Sequence, residues 1–255
     1  MLSIPRIALS AMVACTLLAA EAGAQSYPNR PIRFILPYSP GGSYDAVARL
    51  IGQALTERWG QQVIIENRPG AAGRIGMDIV IKATPDGYSL AMLGNNQTIT
   101  PSVYRTVGYD LARDIDPVGM VATITNVLVL HPSVPAHSVA QLIALAKEKP
   151  GTINFGSGGT GGITHLAGEL FKSMTGVNIV HVPFKGGAFA VIGTVGGQTQ
   201  MMLLNTLNAV PHVRANRLRG LAVTSLKRSG YIPELPTLDE SGLKGYEIVE
   251  WYAVA

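Results

Sequence analysis

Short apolar runs alternate along this chain with longer segments in which apolar residues recur every three or four positions. The apolar runs predict buried β-strands, and the recurring spacing predicts α-helices. In the first half of the chain we expect strands at 31–37, 62–66 and 88–93 and helices at 43–59 and 75–83. Strands that alternate with helices are typical of an α/β fold with mainly parallel sheets.

A second series of elements follows two extended segments at 118–122 and 126–131. Its helices are expected at 139–149, 163–174 and 186–195, and its strands at 153–155, 178–183, 201–204, 219–224 and 248–255. Each series has a strand, a glycine-rich loop and a helix, and the two loops lie about 120 residues apart. The sequence therefore predicts two similar α/β lobes, one at 25–125 to which 247–255 returns, and one at 126–246.

The first 24 residues have the pattern of a secretory signal peptide. Arg6 precedes an apolar run at 7–20, and the small residues at 22–24 match a cleavage site. This run of 14 residues is shorter than the roughly 20 that a transmembrane helix needs. We therefore expect residues 1–24 to be a signal peptide and the protein to be periplasmic; an N-terminal core helix is the alternative.

Cys15 is the only cysteine, and it lies inside this leader. The processed chain is therefore expected to contain no disulfide, no cysteine–metal site and no cysteine nucleophile. Lipid attachment to Cys15 is the alternative role for this residue.

Composition narrows the class of protein further. Hydrophobic residues make up 47% of the 255 residues, which is enough for a sizeable core. The net charge is +4, but the basic residues are scattered and aromatic residues are only 6%. A nucleic-acid groove needs clustered basic residues, so we expect no nucleic-acid partner. A small anionic ligand fits the mild positive charge.

The first glycine-rich loop, at 37–45, is called loop one. It lies between a strand and a helix, where glycines leave backbone N–H groups uncovered at a helix N-terminus that attracts anions. The candidate ligand-binding residues are Tyr38, Ser39, Gly41, Gly42, Ser43 and Asp45. Asp45 in the first helical turn complements the helix dipole or ties back the loop. An ordinary glycine turn is the alternative.

The second glycine-rich loop, at 156–162, is called loop two. Its candidate ligand-binding residues are Ser157, Gly158, Thr160, Gly161 and Gly162. The loop matches G-x-G-x-x-G, but a dinucleotide site also needs an acidic residue at the end of the next strand, and 181–185 contains none. We therefore interpret loop two as a second anion-binding loop, to which the Ser157 and Thr160 hydroxyls add donors.

Catalytic and metal-binding patterns are not found. Phe155 replaces the first glycine of a G-x-S-x-G motif around Ser157, and no two histidines have helical metal-ligand spacing. Asp110, Asp114 and Asp116 lack the glycine and glutamate of a calcium loop. We expect no metal and no cofactor. A secreted hydrolase that uses Ser157 or Ser39 stays the rival hypothesis, to be separated by ester turnover against a ligand-induced melting shift.

Several sequence motifs occur in a recognisable order. They are PYSPGGSYDAVAR at 37–49, NRPGAAGRIG at 67–76, PDGYSL at 85–90, LIALAKEKPG at 142–151, SGGTGGITHL at 157–166, HVPFKG at 181–186, RLRGLAVT at 217–224 and PELPT at 233–237. Together they resemble the substrate-binding receptors of tripartite tricarboxylate transporters, the Bug family. Phe189, Gly193 and Gln200 depart from the family's usual residues, which leaves the ligand's identity open.

The resemblance implies a two-lobed periplasmic binding protein of type II-like fold, a monomer with a ligand cleft between its α/β lobes. Such a protein binds a small mono-, di- or tricarboxylate through backbone N–H groups and water around loops one and two. It delivers that ligand to the membrane permease subunits of a tripartite tricarboxylate transporter, and presentation to a membrane sensor is the alternative. Hinge segments are expected near 122–126 and 246–251. Family chains extend further, which implies that this sequence is truncated at its C-terminus and that the missing segment completes the first lobe.

Overall fold

The computed structural model describes residues 27–255. The predicted signal peptide at 1–24, with Cys15, lies outside these residues. Within residues 27–255, no helix combines the length and the apolar character that crossing a membrane requires.

One sheet contains all nine named strands. They are β1 (Ile32–Leu36), β2 (Val63–Asn67), β3 (Ser89–Gly94), β4 (Gly119–Leu130), β5 (Asn154–Ser157), β6 (Val180–Pro183), β7 (Met201–Asn205), β8 (Arg219–Val223) and β9 (Val249–Val254). The α-helices are α1 (Ser43–Trp59), α2 (Arg74–Ile81), α3 (Asn95–Val103), α4 (Leu111–Asp114), α5 (Val139–Glu148), α6 (Ile163–Thr175), α7 (Gly187–Val195) and α8 (Thr206–Arg214). A 3-10 turn at Ala71–Gly73 precedes α2.

The strand order divides the sheet into two parts. The order is β2-β1-β3-β9-β4-β7-β5-β6, and β8 pairs with β4. The strands β1, β2 and β3 are parallel, as are β5, β6 and β7, whereas every pairing of β4 or β9 is antiparallel. The predicted parallel sheets are therefore present, and two antiparallel strands, β4 and β9, join them.

Strand β4 belongs to both parts of the sheet. Residues 119–125 pair with β9, and residues 126–130 pair with β7 and β8. The separate extended segments that the sequence predicts at 118–122 and 126–131 are thus one strand, because the polar stretch between them continues the ladder. We call β1–β3, β9 and residues 119–125 the first half-sheet, and β5–β8 and residues 126–130 the second half-sheet. The predicted lobe boundaries stay a prediction.

Each half-sheet has apolar cores on both of its faces. In the first, Phe34 packs beneath α1, and Met77 of α2 packs on the opposite face. In the second, alternate residues of β4 point to opposite sides, so that Leu128 joins one cluster and Val129 the other. This period of two is expected of a strand covered on both faces.

The sequence pattern does not predict α3, α4 or α8. Helix α3 begins with polar residues and contains Pro101, and α8 contains Pro211, so neither has a clear apolar stripe. Five helices, α1, α3, α6, α7 and α8, begin after the carboxyl ends of β1, β3, β5, β6 and β7. Because carboxyl ends of parallel strands share an edge, the N-termini of these helices collect where the two half-sheets meet.

Candidate functional site

Loop one and loop two lie on opposite half-sheets; across the cleft, loop one contacts residues 185–186, and α3 contacts loop two and the start of α6. Three of the hydrogen bonds across the cleft run from Ser39 Oγ to the Lys185 carbonyl oxygen, from Ile163 N to Asn96 Oδ1 and from Tyr104 Oη to the Thr160 carbonyl oxygen, each at 3.3 Å. The half-sheets are therefore closed on each other. The fold thus places loop one beside the start of α7 and loop two beside α3.

Asp45 holds loop one in place. Its Oδ2 accepts hydrogen bonds from Gly41 N and from Arg49 Nε, each at 3.0 Å. Burial raises the pKa of this carboxyl, but the bonds from Arg49 and Gly41 outweigh burial and leave the pKa below its usual value. Asp45 is thus an anion that ties back loop one, which is one of the two structural roles that the sequence predicts for it. Its place among the ligand-binding residues stays a prediction.

Replacing Asp45 by asparagine is expected to lower the free energy of unfolding at pH 7 by about 1.5–3 kcal/mol, because two charge-assisted bonds are weakened. A depressed carboxyl pKa stabilises the fold above the unfolded value of about 3.9 and loses that effect as the pH falls through the lower folded value. The unfolding free energies of protein and variant should therefore converge as the pH falls below about 3.9 and through the lower folded value. Urea titrations towards acid pH test this, with the exposed Glu57→Gln on the same helix as control; a difference that stays undiminished down to the lowest pH at which the protein is folded contradicts it.

Free donors remain at the start of α1. The backbone N–H groups of residues 42–45 have no hydrogen-bond partner within residues 27–255. Gly41, with φ at 79°, adopts the left-handed conformation that glycine tolerates best. This geometry leaves a helix N-terminus open to an anion.

Tyr38 and Tyr44 form an aromatic layer behind loop one. Their rings stack with centroids 3.8 Å apart, and Tyr44 also contacts Tyr252 at 4.3 Å. Tyr38 Oη donates to Gln97 Oε1. Burial raises the pKa of all three phenols, so they stay neutral.

Loop two differs from the expectation in how its donors are used. Gly158 N donates to Thr164 Oγ1, Gly159 N to Ser157 Oγ and Gly161 N to His165 Nδ1, at 3.1–3.2 Å. The Ser157 hydroxyl is fully buried and does not add a donor to the cleft. The Thr160 N–H has no partner within residues 27–255, and the Thr160 side chain is exposed. Thr160 is therefore the residue of loop two with donors to spare.

Ser157 and His181 form a pair that the sequence analysis missed. Ser157 Oγ lies 2.6 Å from His181 Nε2, and the His181 ring stacks on His165 with centroids 3.9 Å apart. Burial, together with His165, lowers the pKa of His181 to about 4, so this ring is neutral. Within the described chain no carboxylate hydrogen-bonds His181, and the buried Ser157 Oγ cannot be reached by a substrate carbonyl. The pair therefore supports loop two rather than a hydrolytic site.

Ser39 gives no better support to the hydrolase hypothesis. It is exposed, but its Oγ hydrogen-bonds a backbone carbonyl rather than a base. A nucleophilic serine needs a base within hydrogen-bond reach and a group that orients the base.

Helix α7 adds further donors at the cleft. The N–H groups of residues 187–189 have no partner within residues 27–255. A Cβ at Gly186 would lie 2.6 Å from Ser39 Oγ, so the close approach of loop one requires glycine there. Phe189, in the first turn, is 55% exposed. The signal in the sequence is the same as for loop one: a strand, then glycines, then a helix.

The floor of the cleft is polar, and beside the predicted Ser43 it contains three residues that the sequence analysis did not select: Asn205, Glu250 and Tyr252. Ser43 Oγ accepts a hydrogen bond from Asn205 Nδ2 at 3.0 Å and lies 2.9 Å from Tyr252 Oη. Glu250 Oε2 accepts from Asn205 Nδ2 at 3.4 Å and lies 3.1 Å from Tyr252 Oη, whose single hydrogen bonds one of these two oxygens at a time. The only sequence signals for Asn205 and Glu250 are a polar residue at the end of one apolar strand and an acidic residue inside another.

The chain is similar to one family of receptors and to several individual proteins. The model of the tripartite tricarboxylate transporter family receptor matches residues 47–255. A protein encoded in the tcbD–tcbE intergenic region of Pseudomonas sp. strain P51 is 38% identical over 230 residues, which are 90% of this chain and 68% of that protein. Protein BugT of Bordetella pertussis is 36% identical, covering 95% of this chain and 75% of its own length.

Several solved structures are similar to this chain in both fold and sequence. Rpa4515 of R. palustris, solved with adipate, has a TM-score of 0.84 at 37% identity and covers 89% of this chain and 77% of its own. The periplasmic binding protein BugD has a TM-score of 0.85 at 33% identity, covering 89% and 76%. MatC from Rhodopseudomonas palustris, with bound malate, has a TM-score of 0.83 at 26% identity, covering 89% and 78%. The chain therefore has the two-lobed α/β fold of these periplasmic binding proteins.

Proposed function

This chain belongs to the tripartite tricarboxylate transporter receptor family, and we propose that it captures a small carboxylate between loops one and two. The family places such receptors in the periplasm and makes them solute-binding proteins rather than enzymes. We infer that the closed, loaded receptor docks on the membrane permease subunits of a tripartite tricarboxylate transporter and releases the ligand there.

The observation that carries this proposal is the pair of unsatisfied donor sets on opposite sides of one cleft. The start of α1 offers the N–H groups of residues 42–45, and the other half-sheet offers those of Thr160 and of residues 187–189. Backbone donors suit a carboxylate, because each oxygen accepts more than one hydrogen bond. Adipate and malate in two of the similar structures are dicarboxylates, which supports a dicarboxylate for this chain.

The free energy of ligand binding explains why donors from both half-sheets are needed. A micromolar Kd corresponds to about 8.2 kcal/mol. One helix N-terminus contributes about 0.3–2 kcal/mol, and each hydrogen bond to a charged group about 1.5–3 kcal/mol. Association itself costs at least about 4 kcal/mol. Closure around the ligand doubles the number of donors and excludes water, as in other periplasmic binding proteins.

A melting screen followed by calorimetry tests the proposal. We expect adipate, malate or a related acid, from a panel of mono-, di- and tricarboxylates and aromatic acids, to raise the melting temperature and to be recovered unchanged. Generic ester substrates should not be turned over. A folded protein that binds no acid of the panel would contradict the receptor function, and ester turnover would favour the hydrolase hypothesis.

Replacing Asn96 by alanine is expected to weaken ligand binding by about threefold to tenfold, the effect of losing one hydrogen bond of about 0.7–1.4 kcal/mol. Asn96 Oδ1 accepts from Ile163 N at the start of α6, so it closes α3 onto loop two. Calorimetry with the best ligand of the panel measures this. Thr98→Ala on the same helix is the control, because the Thr98 hydroxyl bonds only within α3; equal affinities for both variants would contradict a role for Asn96 in closure.

A further inference from the structure

Four buried side chains form one hydrogen-bond network where the half-sheets meet. Ser43 starts α1, Asn205 is the N-cap of α8, and Glu250 and Tyr252 lie on β9. The Tyr252 hydroxyl is 2.9 Å from Ser43 Oγ and 3.1 Å from Glu250 Oε2. Asn205 Nδ2 is 3.0 Å from Ser43 Oγ and 3.4 Å from Glu250 Oε2. These four side chains thus link α1 and α8, which belong to opposite half-sheets.

Glu250 is buried without a cation. It is 2% exposed, and within residues 27–255 it has no ion pair. Burial raises its pKa to about 7, against the opposing effect of hydrogen bonds from Tyr252 and Asn205. The titratable groups that face it are phenols: Tyr38 after β1, Tyr44 on α1 and Tyr252 on β9.

Asn126 adds a second unusual feature beside this carboxyl. Its side chain is fully buried, and within residues 27–255 neither Nδ2 nor Oδ1 has a hydrogen-bond partner. Asn126 is the first residue of β4 that pairs with the second half-sheet, and Glu250 pairs with Ile124 two residues earlier. Both groups therefore sit where β4 changes partners, on the segments that connect the half-sheets.

A buried carboxyl with no cation is costly in free energy, so a core that only had to pack would be more stable without it. Its position points to a role in closure. When the half-sheets separate, Ser43 on α1 leaves Asn205 on α8, and water reaches the carboxyl between them. When they close, the carboxyl and Ser43 both contact the Asn205 amide and compete for the single Tyr252 hydrogen.

We propose, on the basis of the receptor function above, that Glu250 is a positioning residue for ligand capture: it fixes Asn205 and Tyr252, and through them Ser43, so that the first turns of α1 and α8 meet only in the closed cleft. Water in the open cleft stabilises the ionised carboxyl, whereas the buried, cation-free site of the closed cleft favours the neutral form. Closure therefore takes up a proton, and ligand affinity falls as the pH rises.

Calorimetry with adipate and with malate between pH 5.5 and 7.5 tests this coupling. A carboxyl that changes from a pKa near 4.5 to one near 7 on closure should weaken wild-type binding by about tenfold or more over this range. Glu250→Gln should bind without this dependence, since it keeps the shape and cannot ionise. Glu247→Gln removes an exposed carboxyl from the same segment and should keep the wild-type profile. The ligand's own titration is common to all three proteins.

A wild-type profile in Glu250→Gln would overturn the proposal. A ligand-free measurement separates this from failure of the receptor function. In the ligand-free protein, whose cleft can open and let water stabilise the ionised carboxyl, the side-chain amide resonance of Asn205 should shift with an apparent pKa between the ordinary glutamate value of about 4.5 and about 7, and it should stay constant in Glu250→Gln. If no carboxylate binds but this resonance titrates, the receptor function is wrong and the network stands. If the resonance does not titrate, the positioning role is wrong whatever binds.

Discussion

Replacing Gly42 by valine is expected to weaken carboxylate binding at least tenfold, or about 1.4 kcal/mol, and to leave the fold intact. Gly42 is the N-cap of α1 with φ at −87° and ψ at 177°, a conformation that valine adopts readily. A Cβ there would touch only the Ser39 carbonyl oxygen, at 3.7 Å. The new methyl groups would instead occupy the space in front of the free N–H groups at the start of α1.

Calorimetry with the best carboxylate measures the effect, and circular dichroism checks the fold. Gly230→Val is the matched control, because a Cβ at Gly230 meets no atom within 4 Å and Gly230 lies outside both loops. Unchanged affinity in Gly42→Val would place the ligand away from the start of α1.

Replacing Phe155 by alanine is expected to lower the free energy of unfolding by about 3–5 kcal/mol, a large part of the 5–15 kcal/mol that is typical of a domain. Phe155 is fully buried at the centre of β5. Its ring lies so close to Gly168 of α6 that no side chain fits at that position. It also contacts His181, at 5.0 Å between ring centroids, and thereby supports loop two from below.

Urea unfolding measures this loss, and calorimetry measures its effect on loop two. Phe171→Ala is the matched control, since Phe171 is equally buried in the same cluster but contacts neither histidine ring. Both variants should lose similar stability, and only Phe155→Ala should also bind the carboxylate more weakly. Equal affinities would show that His181 and His165 hold loop two without this ring.

Local patterns in the sequence were enough to predict loop one. A buried strand, two glycines and an amphipathic helix place Gly42 at a helix start, and an acidic residue in the first turn predicts the tie that Asp45 makes. These features depend on residues within ten positions of one another. Propensity and helix-end chemistry act over this range, so the structure has them as expected.

The use of donors in loop two could not be predicted in the same way. The glycine pattern predicts free N–H groups, but Ser157, Thr164 and His165 occupy three of them. Whether a hydroxyl faces the cleft or its own loop depends on where β6 places His181. That placement is a matter of tertiary packing, which one sequence does not show.

The polar floor of the cleft was missed for a related reason. Asn205 and Glu250 each look like one polar residue at the edge of an apolar run. Their contact depends on the tertiary structure, because β7 and β9 both flank β4 and so bring together residues 45 positions apart. Likewise, the polar residues near 123–126 predict a break between strands, whereas the hydrogen-bond ladders on both sides keep β4 continuous.

The position of β9 also has a consequence for the order in which the chain can fold. This strand lies between β3 and β4, and its pairing of Gly94 with Tyr252 joins residues more than 150 positions apart. Contacts of such sequence separation require the closure of a long loop, which slows folding. On a ribosome, or during passage through a membrane pore, β3 lacks its pairing partner β9 until residues 249–254 follow. The earliest part of the sheet to emerge is thus among the last to be completed.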